Sequence, residues 1–449
     1  MNKEELKQSI TKEYLNNTKN SKAHFEKATQ YIPGGVSRLT NFFSPYPFFV
    51  SRGEGSRFYD VDGNEYIDFL NNYAAGILGH NHPAIVDAAR SQSKNINSSA
   101  PVTTQYEYAE LLCNRVPSMD SARFCTSGSE AGMHLMQLAR FFTGKNCFIK
   151  IDGGYHGGSD YAEINSMPDM EADGKPDVIP SHGVSPGAAK DIFVTQFNDV
   201  QGMEDILKQH SQKIAGIIME PLLGRGGYIM PQKGYLESVR ELADTYNVLL
   251  IFDEVVSFRL HKGGMQAMRN VIPDLTMLGK VIGGGLPVGA YGGRKEILEL
   301  SDPLTQPADH LLWLSGTFSA HPMTMAAGLA CMEIYNESEI NRLNGLGETL
   351  RKGLESVLKD AGIQGRCNGF GSLLRLVFTD NELNTAKDVM TATMKKLEFS
   401  THLQLDMLNQ GVFFSPYGIV TLSTPMGEDE INKFINAFGN SIEKVRPLY

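Results

Sequence analysis

The residues with the clearest chemical potential lie between Val248 and Gly285. An unbroken apolar run, Val248-Leu249-Leu250-Ile251-Phe252, ends in two carboxylates, Asp253 and Glu254. A run of this kind bounded by charge predicts a strand buried on both faces of a parallel sheet. Ligands of open α/β sheets sit at the carboxyl ends of such strands, which puts Asp253 where chemistry takes place. Lys280 follows in Leu278-Gly279-Lys280, just ahead of Gly283-Gly284-Gly285. A carboxylate at a buried strand end stabilises a cation held against it. A lysine in a glycine-lined segment offers an amine that condenses with a carbonyl. Together, the acid to keep a pyridine nitrogen protonated and the lysine to form a Schiff base are the two protein groups that pyridoxal phosphate requires.

Other stretches could supply further sides of such a site. In Arg123-Phe124-Cys125-Thr126-Ser127-Gly128-Ser129-Glu130-Ala131, small and hydroxyl-bearing residues stand where a helix would begin. Helix N-termini suit phosphate, but the same residues also read as an ordinary serine cap with a glutamate behind it. Glycines flank Tyr155-His156 in Asp152-Gly153-Gly154-Tyr155-His156-Gly157-Gly158. They let backbone approach a ligand closely, and an aromatic there can stack on a flat ring. Arg38 ends Tyr31-Ile32-Pro33-Gly34-Gly35-Val36-Ser37-Arg38 and precedes an aromatic loop, Phe42 to Pro47, so a binding loop and a solvated arginine are both open readings. His80 and His82, without a carboxylate or cysteine set nearby, read as loop residues rather than metal ligands.

The elements that must position these groups follow from the rest of the chain. Its 449 residues suffice for two or three domains, or for a large one with an appendage. With 41% apolar and 20% charged residues, a net charge of −10 and no basic cluster, nucleic-acid binding is not expected. Five scattered cysteines without a CxxC pair suit reduced thiols. The first 28 residues lack the apolar core of a signal peptide, and no run approaches the ~18 apolar residues of a membrane span. A cytoplasmic protein is therefore expected. Residues 1 to about 30 predict a surface helix, and SRFYDVDGNEYIDFL predicts a hairpin turning at Asp62-Gly63. Phe148 to Ile151 and Ile214 to Met219 read as buried strands, the latter ending at Glu220-Pro221, and Tyr235 to Tyr246 reads as a helix. Strands alternating with helices from about 120 to 290 predict an α/β region with a mostly parallel sheet. Residues 160 to 190, rich in Pro, Gly, Asp and Ser, read as a long surface loop or flap. Met323 to Tyr335 predicts an apolar helix, and the pattern beyond about 340 is α+β. The expected organisation is residues 1–70 as an N-terminal segment of a small domain, 71–335 as a large α/β domain, and 336–449 as the rest of the small α+β domain.

Eight strings in one order, DVDGNEYIDF, GHNHP, TSGSEA, GGYHGG, MEP, LLIFDEV, DLTMLGKVIGGGLPVGAYGGR and SGTFSAHPMTMAAG, resemble the class III, fold type I, pyridoxal-phosphate aminotransferases. The resemblance runs from Tyr31 to the C-terminus. It implies that Lys280 bonds the cofactor and shuttles the proton, and that Asp253 pairs with the pyridinium. It implies Ser127, Gly128 and Ser129 on the phosphate, with Thr317 added from a neighbouring subunit of a homodimer. Tyr155 would stack on the ring beside His156, Val255 would pack on the other face, and Glu220 would lie near the phenolic oxygen. Arg38 is the candidate for a substrate carboxylate, which a planar guanidinium grips through two hydrogen bonds.

Two branches of the family are close. Glutamate-1-semialdehyde 2,1-aminomutases share GKVIGGGLPVGAYGGR, but usually carry an SPVR string and a glutamate-bearing C-terminal loop that this chain lacks. β-Amino-acid aminotransferases are similar around Pro33 to Arg38, Gly153 to Gly158, Ser315 to Phe318 and Phe414 to Gly418, yet have an arginine where Tyr417 stands. The expectation is ping-pong transfer from a carboxylate-bearing amine, such as a β-amino acid, to a 2-oxo acid, with the intramolecular mutase as the alternative. A nicotinamide-dependent oxidoreductase is disfavoured because no GxGxxG follows the first strand of the α/β region. A non-catalytic binding protein is disfavoured because Lys280 and Asp253 are both intact.

Overall fold

The computed structural model describes residues 2–96 and 100–449. The chain forms two compact units. The larger comprises Pro83–Asn341 and Glu382–Thr391; the smaller takes in the chain up to His82, Arg342–Asn381 and Ala392–Tyr449. These divisions differ from the sequence-based bounds at 70/71 and 335/336. The first divide falls within the GHNHP string, between His82 and Pro83, because His80 and Gly55 exchange backbone hydrogen bonds of 2.8 and 3.0 Å that tie the turn to the N-terminal strands. A short excursion, Glu382–Thr391, returns to the larger unit; there Ala386 Cβ would lie only 2.3 Å from a side chain placed on Gly153.

The larger unit is built on a seven-stranded sheet. Its spatial order is Ser121–Cys125, Gly289–Gly293, Leu275–Gly279, Leu249–Asp253, Ile214–Met219, Cys147–Ile151 and Ile192–Thr195. Gly289–Gly293 runs antiparallel to both neighbours, and the remaining pairs are parallel. The strands at Leu249–Asp253, Leu275–Gly279 and Ile214–Met219 are buried at every position, as their unbroken apolar composition requires. The register pairs Asp253 with Met277, so these two strands finish side by side. The chain therefore leaves the sheet at one edge after Cys125, Ile151, Met219, Asp253 and Gly279. Each exit leads directly into a residue singled out above.

Helix Gly128–Thr143 begins at one of these exits, with Ser127 as its cap, and ends at Gly144 in the left-handed conformation (φ 67°) that a helix stop favours. Its Ala131, Leu135, Leu138 and Ala139 pack into the core on Phe148, Ile218 and Ile251. The predicted apolar helix spans Pro322–Ile334 and supports the Lys280 segment from behind. A side chain on Gly328 would come within 2.4 Å of the Ile282 carbonyl. That carbonyl accepts a 2.5 Å hydrogen bond from the buried Tyr108 hydroxyl.

In the smaller unit, the predicted hairpin is present as Arg57–Asp60 and Glu65–Asp68, paired antiparallel. Asp60 shapes its turn by accepting from the backbone of Asp62 and Asn64. Val412–Phe413 adds parallel to Glu65–Asp68, so both ends of the chain build one sheet. A second sheet joins Arg366–Phe370, Leu373–Val377 and Ile419–Thr421. The predicted N-terminal helix is two, Lys3–Asn17 and Lys19–Ala28, interrupted at Thr18. Among the described residues no helix is long and apolar enough to cross a membrane.

Candidate active site

Asp253 is the last residue of its strand and only 4% exposed. One carboxylate oxygen is 2.9 Å from His156 Nδ1, and the other accepts from the Val255 N–H at 3.0 Å. Both contacts aim the carboxylate. His156 is fully buried, and burial lowers its pKa against the opposing pull of Asp253, so the ring is a weak source of positive charge. Lys280 stands one residue past its own strand, and its backbone holds φ at 49°. A non-glycine residue in this region is uncommon and marks a site whose surroundings impose the conformation.

Val255 joins these groups to the helix start. A side chain on Gly128 would meet Val255 Cγ2 at 3.2 Å, and one on Gly279 would meet Val255 Cγ1 at 3.3 Å. Val255 is thus wedged between the Ser127–Ser129 turn and the residue before Lys280. Ser127 Oγ caps the helix by accepting from the Glu130 N–H at 3.3 Å, while Glu130 returns to the Thr126 N–H at 2.5 Å. The ordinary capping role is therefore present, and the helix start still offers N–H groups without intrahelical partners. The Tyr155–His156 loop lies against this turn: Gly158 N–H donates to Ser129 Oγ at 3.2 Å, and a side chain on Gly157 would come within 2.5 Å of Ser129 Cα. Only glycine, here at φ 107°, permits that approach.

Glu220 sits behind Tyr155, accepting from its N–H at 3.2 Å and from Gly224 N–H at 2.9 Å. Burial, and then the charge of Asp253, push its pKa well above the ordinary carboxylate range; the two N–H donors and Lys280 oppose the shift. Sequence reasoning missed Lys150, whose charge is felt by Glu220. It is 0% exposed, and its ammonium donates to the Ala162 and Ile164 carbonyls at 2.5 Å each. Burial brings its pKa down to about 7, while Glu163, Glu220 and Asp152 pull it back up. A lysine inside an apolar strand was the available signal. Those two bonds, with Asn165 donating to Asp152 at 2.7 Å, fasten the start of the 160–190 segment, which is partly buried rather than the free surface loop its composition suggests.

Arg38 and Tyr417 both lie in the smaller unit, around a residue that sequence reasoning also missed, Tyr73. The Arg38 guanidinium carbon is 4.8 Å from the Tyr73 ring centroid, and its Nη1 donates to Asn72 Oδ1. The Tyr73 hydroxyl donates to the Thr40 carbonyl at 2.8 Å, and the ring lies beside Ser415 and Tyr417. Asn71, Asn72, Tyr73 and Ala74 form one left-handed turn, with φ of 48°, 51°, 55° and 72°. Such backbone costs roughly 1–2 kcal/mol per residue, less for asparagine. Several fastenings hold it: Asp68 accepts from the Leu70 and Asn71 N–H groups, Asn71 Nδ2 donates to the Thr421 carbonyl at 2.9 Å, Ala74 N–H donates to the Leu70 carbonyl, and Gly76 N–H closes on Asn71. Adjacent asparagines, the residues that best tolerate this region, were its signal. Thr317 lies elsewhere in the larger unit. It lines a cavity of about 930 Å³ with Arg123, His134, Tyr291 and Phe318, and neither Asp253 nor Lys280 forms its walls.

The residues of the larger unit fit pyridoxal phosphate. Asp253 and Glu220 are two buried carboxylates in electrostatic contact, and the paired base beside Asp253 is a histidine that burial keeps from charging. Such a place favours an added cation, as a pyridinium would be. The start of a 16-residue helix suits a phosphate, and Lys280 supplies the amine.

The fold and this constellation define a pyridoxal-phosphate enzyme of fold type I. Residues 41–439 match the model of the family Aminotransferase class-III, and the chain belongs to that family, whose members use pyridoxal 5′-phosphate. It is 35% identical to a glutamate-1-semialdehyde 2,1-aminomutase of Methanosphaera stadtmanae, over 95% of this chain and 98% of the relative. Among solved structures it is similar to an omega-transaminase from Sphaerobacter thermophilus, at 37% identity and a TM-score of 0.91 over 95% and 98% of the two chains. It is also similar to a β-phenylalanine aminotransferase from Variovorax paradoxus, at 32% identity and a TM-score of 0.88 over 98% and 97%.

Proposed function

We propose that this enzyme moves the amino group of a small, carboxylate-bearing amine, with Lys280 and Asp253 as its catalytic residues. The observation that carries the reading is Asp253 itself, oriented through both oxygens at the end of a buried strand, with Lys280 one residue beyond the neighbouring strand. Bound there, pyridoxal phosphate supplies a protonated ring that draws electron density from the amine-bearing carbon. Asp253 holds the proton on the ring nitrogen, and His156 keeps the carboxylate aimed. Lys280 Nζ would hold the cofactor and would serve as the base for the proton on the substrate carbon. The N–H groups around Ser127, Gly128 and Ser129 would hold its phosphate, and Tyr155, Val255 and Glu220 would pack around its ring. Arg38 binds the substrate carboxylate, with Tyr417 beside it.

Two fates of the amino group follow, and the comparisons back the intramolecular one better: the curated relatives, at 35% identity in Methanosphaera stadtmanae, carry the aminomutase name. Transfer to a separate 2-oxo acid is the second reading, supported by the two solved transaminases at 37% and 32% identity. Purified enzyme loaded with cofactor separates them. Conversion of glutamate 1-semialdehyde without an added oxo acid supports the mutase. Transfer that strictly requires 2-oxoglutarate or pyruvate, with the semialdehyde untouched, sinks it.

The same reading makes the enzyme a homodimer in the cytoplasm, with Thr317 completing the phosphate site of a second copy. Phe318, 58% exposed in the lining of the cavity that Thr317 also lines, supports an apolar contact there. A monomer at micromolar concentration in sedimentation would remove that part.

A further inference from the structure

We infer that the left-handed turn Asn71–Ala74 is a positioning device for Arg38, with Asn72 as the residue that sets the guanidinium for a substrate carboxylate. The inference rests on the proposed role of Arg38 and adds how that residue is aimed. Arginine is a long side chain with several rotors, and an exposed one spreads over many orientations. Arg38 is exposed and lies between two short helical turns, Pro33–Gly35 and Leu39–Asn41, that give it no rigid support of their own. Two contacts restrict it. The Tyr73 ring lies against the guanidinium face at 4.8 Å, and Asn72 Oδ1 accepts from Nη1. A guanidinium has five N–H donors in a fixed plane. With one edge held by a neutral amide and one face by a ring, another edge stays available for a bidentate carboxylate.

The backbone explains why this arrangement needs the turn. With φ of 51° and 55°, Asn72 and Tyr73 reach the same guanidinium from adjacent positions of this turn. The fastening of the turn runs through Asp68, Leu70, Asn71, Thr421 and Gly76, and among the described residues the hydrogen bond of the Asn72 side chain goes to Arg38 instead. Its side chain is exposed and spent on Arg38. An acceptor that were charged, such as aspartate, would neutralise the arginine; an amide orients it and leaves the charge for the ligand.

The test separates aiming from folding. Asn72→Gly removes the acceptor while keeping, and easing, the left-handed backbone. The cofactor-loaded holoenzyme is given whichever carboxylate-bearing substrate the assay above shows it to use, glutamate 1-semialdehyde or 3-amino-3-phenylpropanoate, and beside it the carboxylate-free amine 1-phenylethylamine, and the single-turnover change in cofactor absorbance is followed. The expected result for Asn72→Gly is about a tenfold higher half-saturating concentration for the carboxylate donor, with its limiting rate changed less than about twofold and the melting temperature not lowered. The carboxylate-free donor should show no such shift. If Arg38→Ala raises the half-saturation and Asn72→Gly does not, the positioning role is wrong and the Arg38 reading stands. If Arg38→Ala has no effect, or wild type shows no preference for the carboxylate donor, the Arg38 reading fails and this inference with it. An equal loss for both donors, or a lower melting temperature, means that Asn72 serves the fold alone.

Discussion

The proposed cofactor residues and the proposed substrate residues of this enzyme are built by different means. Asp253, Lys280, Glu220 and the Ser127 turn all stand at strand exits of one sheet whose central strands are buried at every position. Their carboxylates are held by two contacts each. Arg38, Asn72 and Tyr417 are exposed, on loops and on a turn of left-handed backbone. The first arrangement gives little freedom, as suits a cofactor that is the same in every turnover. The second leaves the proposed substrate contacts on connections that tolerate change, which is where one chemistry is fitted to different amines.

The largest effect that would break this contrast is at Lys280. Lys280→Ala should reduce turnover to background and remove the near-ultraviolet band of the lysine-bound cofactor, read by absorbance and by a coupled assay; normal activity would end the account. Asp253→Asn should retain the bound cofactor but slow kcat on the order of 10³-fold, as the loss of one preorganised electrostatic contact does. Arg38→Ala should act on the other side only: an increase in KM of roughly 10–100-fold for carboxylate donors, with the cofactor spectrum unchanged. A loss of cofactor in that variant would show that the two sides are not separate.

The smallest predicted effect concerns pH. Burial and Asp253 raise the pKa of Glu220 in the folded chain above the value of about 4.3 for a free glutamate. Between those two values the folded state holds a proton that the unfolded state has released. Stability from this group is therefore complete below about pH 4.3 and declines as pH rises through the folded pKa. In cofactor-free protein, Glu220→Gln should gain urea midpoint relative to wild type at pH 8 compared with pH 5. A constant difference would mean that Glu220 ionises normally.

How much was legible in the sequence divides along the same line. The strand that ends at Asp253 was readable because a buried parallel strand is an unbroken apolar run whose end is marked by the first charge, whereas the strand before Lys280, broken by Thr276 and closed by a glycine, was not. The helix from Gly128 and the hairpin at Asp62-Gly63 were readable because caps and tight turns have local chemistry. Lys150 was not, because its meaning depends on carbonyls of Ala162 and Ile164 that only the fold brings over it. Tyr73 was not, because its partners Arg38 and Ser415 come from distant parts of the chain. The divide at His82 was missed for a similar reason, since the pairing of His80 with Gly55 is non-local.

The most direct test of the central claim is chemical trapping of the cofactor at its attachment point. Wild-type enzyme loaded with pyridoxal phosphate is reduced with borohydride, digested, and mapped by mass spectrometry. The account predicts one phosphopyridoxyl group per chain, on the peptide that carries Lys280. A label on Lys150 or any other lysine, with Lys280 unmodified, would contradict it.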